Sequence, residues 1–241
     1  MEVVDLLIVF IIVILGGIVQ GATSMGFALT VAPVLMIINP NFVPVPTLMS
    51  GFALSVYLMI RERKSIILKG LGFSVFGRIL GSIVAAYIIV IISPTYFALV
   101  FGGLIILAVG LSLMRGQWEI NKPKLLFAGF LSGIMGTLAS IGSPPMGLLY
   151  QHQKAQVIRG TLSAFFTLGT LISLLSLSFV GRVSLLELNL FLWMLPAFTI
   201  GFWFSKYLTK YLDQGYTRWA ILAISSLSAV FVIGKSIYSL L

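Results

Sequence analysis

The 241-residue chain contains no cysteine and a single histidine, His152. The absence of cysteine excludes disulfides, thiolate metal sites and thiol nucleophiles, and one histidine cannot form a multi-histidine metal centre. Acidic residues are also scarce, because only six are present and all of them lie at or near the ends of predicted membrane spans. A buried carboxylate pair or proton relay is therefore not expected. The sequence predicts no metal, no cofactor and no enzymatic activity.

Apolar residues dominate what is present. They make up 59% of the chain, charged residues make up 9%, and the mean hydropathy is +1.13. This composition excludes a water-soluble domain and predicts an all-α polytopic membrane protein whose main surroundings are a lipid bilayer. The N-terminal apolar run carries Glu2 and Asp5 where a signal peptide would carry lysine or arginine, so we interpret it as a retained membrane segment.

Two apolar segments are predicted to fold as broken hairpins. An unbroken helix over residues 5–38 would be about 51 Å long, against a hydrocarbon core of about 30 Å. The obvious break is Gly21–Gly26, and a second hairpin over 125–151 is expected to turn at Ile141–Pro145. The returning limbs, 27–38 and 144–151, would be only about 18 and 12 Å long as helices, so we expect half-spans. Whether the hairpins are re-entrant or cross fully stays open. Six full spans are predicted at 43–60, 70–92, 96–114, 158–180, 185–205 and 217–238.

The net charge of +9 is explained mainly by membrane orientation. With the two hairpins turning back, twelve of the fifteen lysines and arginines fall on the cytoplasmic side. Arg182 and Lys235 fall outside, and Arg78 lies within a span. The positive-inside rule favours this arrangement, which places both termini outside. The cytoplasmic set includes Arg115, Lys122, Lys124, Lys154, Arg159, Lys206, Lys210 and Arg218. Nucleic acid is therefore not expected as a partner.

The two halves of the chain align with each other around the breaks. At an offset of 116, Gly17-Ile18, Ser24 and Gly26 match Gly133-Ile134, Ser140 and Gly142; at an offset of 114, Thr47-Leu48 and Leu54 match Thr161-Leu162 and Leu168. We therefore divide the chain into repeat 1 (1–115) and repeat 2 (124–241), each a hairpin followed by three spans. An odd number of spans inverts the second repeat, and paired short, glycine-interrupted segments indicate a transporter binding site.

At these residues the chain resembles the sulfite exporter TauE/SafE family of membrane permeases. The resemblance rests on LGGIVQGATSMGFALTVAPVL, FAGFLSGIMGTLASIGSPP and the basic loop RERK, and it covers essentially the whole chain. It implies a multi-pass transporter of the bacterial inner membrane for sulfite, sulfonates or related small organic anions. Transport down the anion's own electrochemical gradient would favour export from an inside-negative cell, and coupling to an ion held by backbone carbonyls is the alternative. The hairpin tips here carry hydroxyls where the family often has adjacent glycines, which leaves the substrate open.

The candidate substrate site lies between the two tips. A broken backbone at membrane depth requires a protein-lined or watery cavity, and a helix that restarts there offers free N–H groups to an anion. Arg78, about 13 Å along a helix from Lys69, would lie near the midplane, where an uncompensated guanidinium costs at least about 2.5–3.5 kcal/mol. Hydroxyls of the tips could instead cap or pack helices, and Arg78 could snorkel to phosphates. The predicted substrate-binding residues are Gln20, Gly21, Thr23, Ser24, Gly26, Thr47, Arg78, Ser140, Gly142, Ser143 and Thr161.

Three other functions compete with a transporter that works by alternating access. An anion channel could use the same hairpins, an intramembrane enzyme would need catalytic groups that the sequence lacks, and a scaffold subunit would not need a mid-membrane arginine. The expected partners are a small anionic substrate and lipid, and a homodimer stays open. His152 is interpreted as a solvated histidine at a cytoplasmic helix end.

Overall fold

A computed structural model describes residues 3–114, 116, 119–212 and 216–238, without the side chains of Val3, Thr95 and residues 209–220. The predicted cytoplasmic cation Arg115 and the acidic residues Glu2 and Asp213 lie outside the described residues. The side chains of Lys210 and Arg218 lie outside them as well.

Ten α-helices and two short 3-10 turns make up the described part of the chain, which contains no strand. The helices of the first half are α1 (Val3–Thr23), α2 (Phe27–Ile38), α3 (Val45–Arg61), α4 (Leu71–Ile91) and α5 (Pro94–Leu113). Those of the second half are α6 (Lys122–Ala139), α7 (Ser143–Tyr150), α8 (Ala155–Phe179), α9 (Leu185–Leu212) and α10 (Tyr216–Tyr238). The 3-10 turns are Pro40–Phe42 and Arg63–Ser65.

Seven of these helices are long and apolar enough to cross a membrane: α1, α3, α4, α5, α8, α9 and α10. The prediction of an all-α polytopic membrane protein is confirmed. Six of the seven coincide with the six predicted full spans, although α9 continues seven residues beyond the predicted end at residue 205. The seventh, α1, has 21 residues and is about 31 Å long, so the first limb of the first hairpin alone matches the hydrocarbon thickness.

Both hairpins break within three residues. The first break is Ser24–Gly26, between α1 and α2, and the second is Ser140–Gly142, between α6 and α7. The returning helices have 12 and 8 residues, which corresponds to about 18 and 12 Å. In α7 the prolines occupy the first turn, where a missing N–H leaves no intrahelical bond unmade. The returning limbs are therefore much shorter than the helices that precede them.

Glycines allow α4 and α6 to touch backbone to backbone. A Cβ added at Gly81 would overlap the carbonyl oxygen of Phe130, and one added at Gly133 would overlap the carbonyl oxygen of Arg78. Close approach through small residues is the usual way that helices associate in membranes, because lipid supplies no hydrophobic drive between them. The backbone of Arg78 is thereby held directly against α6.

The same kind of contact joins α1 to α9, where Gly17 lies against the backbone of Phe198. The principal packing pairs of the bundle are α4 with α6, α1 with α9, α3 with α8 and α5 with α10. If each helix of the first half is matched in order to one of the second half, α1 corresponds to α6 and α4 to α9. The pair α4 with α6 then corresponds to the pair α9 with α1. The pairs α3 with α8 and α5 with α10 each join two corresponding helices. The division into inverted repeats stays a prediction, and this pattern of pairs is what such a repeat would produce.

One end of the bundle collects most of the described cations, and we call it the basic end. Glu62, just after α3, accepts a hydrogen bond from Arg159 Nε of α8 at 3.2 Å and lies 3.4 Å from Arg61 Nε. Lys122, at the start of α6, lies over the ring of Phe73, at the start of α4. Arg182 lies at the opposite end, where its Nη2 donates to the Ile89 carbonyl near the end of α4 at 2.8 Å.

Candidate functional site

A serine in the left-handed conformation ends the long limb of each hairpin. Ser24 has φ 64° and Ser140 has φ 63°, and within the described residues these are the only non-glycine positions with positive φ. The conformation is uncommon outside glycine and asparagine, so it marks a backbone held by its surroundings. The two serines are also the pair matched at the offset of 116, so both breaks are made at the equivalent residue.

A small central cavity of about 50 Å³ lies between the two breaks. Both hairpin tips line it, together with α3, α4 and α8. Eight of the eleven predicted binding residues are among its walls: Gln20, Ser24, Gly26, Thr47, Arg78, Ser140, Gly142 and Ser143. The polar part of the wall also includes Ser55 and Thr170, and Phe166 covers part of the apolar side.

Arg78 is fully enclosed, with 1% of its surface exposed. Its Nη1 donates to the Ser132 carbonyl at 2.8 Å and to the Ser132 hydroxyl at 2.6 Å. Its Nε donates to the Gly169 carbonyl at 3.3 Å and its Nη2 to the Ser173 hydroxyl at 3.2 Å. All of these acceptors are neutral, so four of the five N–H groups are satisfied while the positive charge has no carboxylate partner among the described side chains.

Three glycines make room for the guanidinium. A Cβ at Gly136 or at Gly142 would overlap its terminal nitrogens, and one at Gly169 would lie 2.7 Å from Nε. Phe165 completes the enclosure, with its ring centroid 5.8 Å from the central guanidinium carbon. Arg78 therefore cannot snorkel to the surface in this arrangement, which removes the alternative interpretation of its side chain.

A chain of hydrogen bonds connects Arg78 to the second break. The Ser132 hydroxyl, which accepts from Arg78, donates to the Gly142 carbonyl at 2.5 Å. On the other side of the guanidinium, Thr137 lies 2.8 Å from the Ser173 hydroxyl and 3.0 Å from that of Ser82. These residues lie on α4, α6 and α8, so one buried arginine organises three helices around the cavity.

Gln20 stabilises the first break with both ends of its amide. Its Nε2 donates to the Ser24 carbonyl at 3.1 Å, and its Oε1 accepts from the Phe27 N–H at 3.2 Å. The amide thus supplies partners to backbone groups that the interrupted helix leaves free. The Ser24 hydroxyl, by contrast, is fully buried and has no hydrogen-bond partner in the part of the chain that the structure describes. An unsatisfied buried hydroxyl costs about 1–3 kcal/mol, so a ligand in the cavity would gain by accepting from it.

Three predicted binding residues lie outside the central cavity. Gly21 faces α9, where a Cβ would overlap the Ser205 hydroxyl. Thr23 donates within its own turn, to the Val19 carbonyl at 2.8 Å, and faces a different cavity. Thr161 accepts from the Ile67 N–H at 3.0 Å. In the structure these three residues take part in helix packing, a bond within a helix turn and a loop contact, instead of lining the central cavity.

The residues that hold Arg78 were not predicted from the sequence. Ser132, Gly169 and Ser173 look like ordinary small residues of membrane helices, and their role depends on which helices are neighbours. The spacing of Gly169 and Ser173 is one helical turn, which places both on the same face of α8. That spacing alone is common in membrane helices. His152, predicted to be solvated, is exposed and lies 2.8 Å from the Gly116 carbonyl through Nε2.

Two larger cavities flank the central one. A basic-end vestibule of about 300 Å³ is lined by residues of α1, α2, α5, α7, α8 and α10, and it shares Met25, Gly26 and Ser143 with the central cavity. An opposite-end vestibule of about 350 Å³ is lined by Asn41, Pro44, Arg182 and neighbouring residues, and it shares no lining residue with the central cavity. The Ser140 hydroxyl donates to the Pro44 carbonyl at 3.0 Å at that boundary.

The family model described as "Sulfite exporter TauE/SafE" matches residues 9–232, which includes both hairpin breaks and every residue that lines the central cavity. The chain belongs to the TauE/SafE sulfite exporter family. This confirms the resemblance noted from the hairpin segments and the RERK loop, and it makes the protein a multi-pass membrane transporter of sulfite or related anions. Searches of curated proteins and of solved structures returned no match.

Proposed function

We propose that this TauE/SafE protein is a secondary transporter that exports a small anion such as sulfite or a sulfonate by alternating access around the two facing breaks. The observation that carries the proposal is the central cavity, which is lined by a buried arginine and a buried hydroxyl. Among the described side chains the arginine has no carboxylate partner and the hydroxyl has no hydrogen-bond partner. A desolvated cation favours an anionic ligand over a neutral one of the same size.

The size of the cavity supports a small substrate. A cavity needs a volume of about 10–15 Å³ to hold one water molecule, so the central cavity of about 50 Å³ holds only a few non-hydrogen atoms. Sulfite has four. A sulfonate with a larger organic group would extend into the basic-end vestibule, which shares Met25, Gly26 and Ser143 with the central cavity. The anionic head would remain beside Arg78 in both cases.

The distribution of charge supports an orientation with the basic end in the cytoplasm. Arg61 and Arg159 both contact Glu62 at that end, and Lys122 lies over the ring of Phe73 at the start of α4. Arg182 lies at the other end. The positive-inside rule then places the basic-end vestibule toward the cytoplasm. An anion would enter there from the cell interior and leave through the opposite-end vestibule, in the direction favoured by an inside-negative membrane potential.

The test is transport in proteoliposomes that contain the purified protein. We expect at least one of radiolabelled sulfite, thiosulfate, a small sulfonate or a small carboxylate to move down its gradient. Unlabelled anion on the far side should accelerate exchange, which a carrier shows and a channel does not. Arg78→Gln should abolish the flux and Arg63→Gln, at an exposed position of the basic end, should not. If no anion moves under any ionic gradient, the proposal fails, and single-channel conductance without exchange would indicate a channel.

A further inference from the structure

We propose that Ser24 and Ser140 are two alternating latches, each of which closes one side of the central cavity in one of the two transport states. The inference rests on the proposed function, since it requires that the cavity open to each side in turn. It concerns two positioning residues, because the latches act on the helices that enclose the anion.

The two serines are equivalent in backbone and different in bonding. Both are left-handed, with φ of 64° and 63°, and both line the central cavity. The Ser140 hydroxyl donates to the Pro44 carbonyl at 3.0 Å, whereas the fully buried Ser24 hydroxyl has no partner among the described residues. Two residues of the same type and conformation thus have different hydrogen bonding, and this asymmetry needs a physical reason.

The bonded serine lies on the closed side. Pro44 also lines the opposite-end vestibule, so the bond from Ser140 ties the second break to the residue just before α3 where that vestibule meets the cavity. No lining residue is shared across this boundary, whereas three are shared with the basic-end vestibule. The central cavity therefore borders the basic-end vestibule directly and the other vestibule only through the Ser140–Pro44 contact, as expected of a state that faces the basic end.

The repeat alignment points to a partner for Ser24 in the other state. At the offset of 114 that matches Thr47-Leu48 to Thr161-Leu162, Pro44 corresponds to Ile158. Ile158 lines the basic-end vestibule together with Met25 and Gly26, the two residues that follow Ser24. If the halves exchange conformations, Ser24 donates to the Ile158 carbonyl and closes the basic end, while Ser140 releases Pro44 and becomes the unsatisfied hydroxyl.

The experiment measures the two states with a single reporter thiol, which is possible because the chain has no cysteine. Ala98→Cys reports on the opposite-end vestibule and Ser112→Cys on the basic-end vestibule. Each is combined with Ser24→Gly or Ser140→Gly, since glycine removes the hydroxyl and accepts a positive φ. A membrane-impermeant maleimide is then applied from either side of oriented membrane vesicles, and the labelling rate is measured.

We expect opposite effects from the two substitutions. Ser140→Gly should raise labelling at Ala98→Cys and lower it at Ser112→Cys by about threefold to tenfold, because one hydrogen bond of ordinary strength biases the equilibrium by that factor. Ser24→Gly should change both rates in the other direction. Alanine at each position provides a second variant, and agreement between glycine and alanine assigns the effect to the hydroxyl rather than to the backbone.

A purely structural role would not give reciprocal shifts. Equal changes from both substitutions, or no change from either in a folded and inserted protein, would overturn the latch assignment. Since labelling requires no substrate, this result is independent of whether the right anion has been found. Transport by the unaltered protein without reciprocal labelling would leave the proposed function in place and remove the latches. Reciprocal labelling without transport of any anion would support the latches and remove the anion substrate.

Discussion

Replacing Arg78 with lysine separates the charge of this side chain from its geometry. The guanidinium makes four hydrogen bonds, to Ser132, Gly169 and Ser173, and these acceptors lie on two different helices. An ammonium group keeps the positive charge but has only three donors at one point, without the planar fork that reaches both helices. Arg78→Lys should therefore keep at most two of the four bonds.

The free energy lost in Arg78→Lys can be estimated from the hydrogen bonds that the lysine cannot make. A hydrogen bond to a charged group contributes about 1.5–3 kcal/mol, so two of them correspond to about 3–6 kcal/mol. If half of this is lost from the transport-competent arrangement, the flux falls at least about tenfold, because 1.4 kcal/mol is a factor of ten. The remainder should appear as a lower melting temperature of the detergent-solubilised protein.

The assay compares anion efflux from proteoliposomes and thermal unfolding for Arg78→Lys and for Arg63→Lys, a matched substitution at an exposed position of the basic end. The control should transport and unfold like the unaltered protein. Ser132→Ala, which removes one acceptor and retains the arginine, should give an intermediate loss. If the Arg78→Lys protein transports at more than about a third of the normal rate, the geometry of the guanidinium is not required, since charge alone would then suffice.

Two further substitutions test the scaffold around the site. Gly81→Ala should lower the free energy of unfolding by about 1–3 kcal/mol because the added Cβ would overlap the Phe130 carbonyl. Gly103→Ala should be neutral or slightly stabilising, since the added Cβ would meet no described atom of another element within 4 Å. Thermal unfolding of both variants in detergent measures the difference. Gln20→Leu should destabilise the protein by about 2–4 kcal/mol, since it leaves two buried backbone groups without their partner. A melting temperature within about one degree of that of the unaltered protein would contradict the stabilising role of this amide.

Much of the fold was predictable because membrane insertion constrains it strongly. Apolar length located the helices, and the impossibility of a single 34-residue helix over 5–38 required a break near Gly26. The positions of the glycines do not determine which residue between Gly21 and Gly26 makes the turn. In the structure the turn is made at Ser24 and Ser140, where positive φ falls on residues that are not glycine. Serine is common in membrane helices, so the residue type alone does not indicate a left-handed position. The alignment of the two halves does pair Ser24 with Ser140.

The site was predictable in part. Helix rise and span position are enough to single out Arg78 as a candidate at mid-membrane depth, and its side chain is buried in the structure. Its role in substrate binding stays a prediction. The acceptors around it depend on which helices are neighbours, and the pairs α4 with α6 and α4 with α8 cannot be derived from composition. For the same reason Thr23 and Thr161 were grouped with the cavity, while the structure places their hydroxyls in a helix turn and at a loop.

The glycine contacts between α1 and α9 can form only late in the synthesis of the chain. Gly17 reaches its partner Phe198 only when about 180 more residues have left the ribosome, which takes about 9–36 s at 5–20 residues per second. Throughout that interval α1 must remain in lipid or beside the insertion machinery with its small-residue face uncovered. The second half supplies the partner for the first helix, and the first half supplies α4 as the partner for α6. Neither half therefore completes its own packing, so a ribosome that stops midway leaves a membrane-inserted fragment with its main helix contacts unmade.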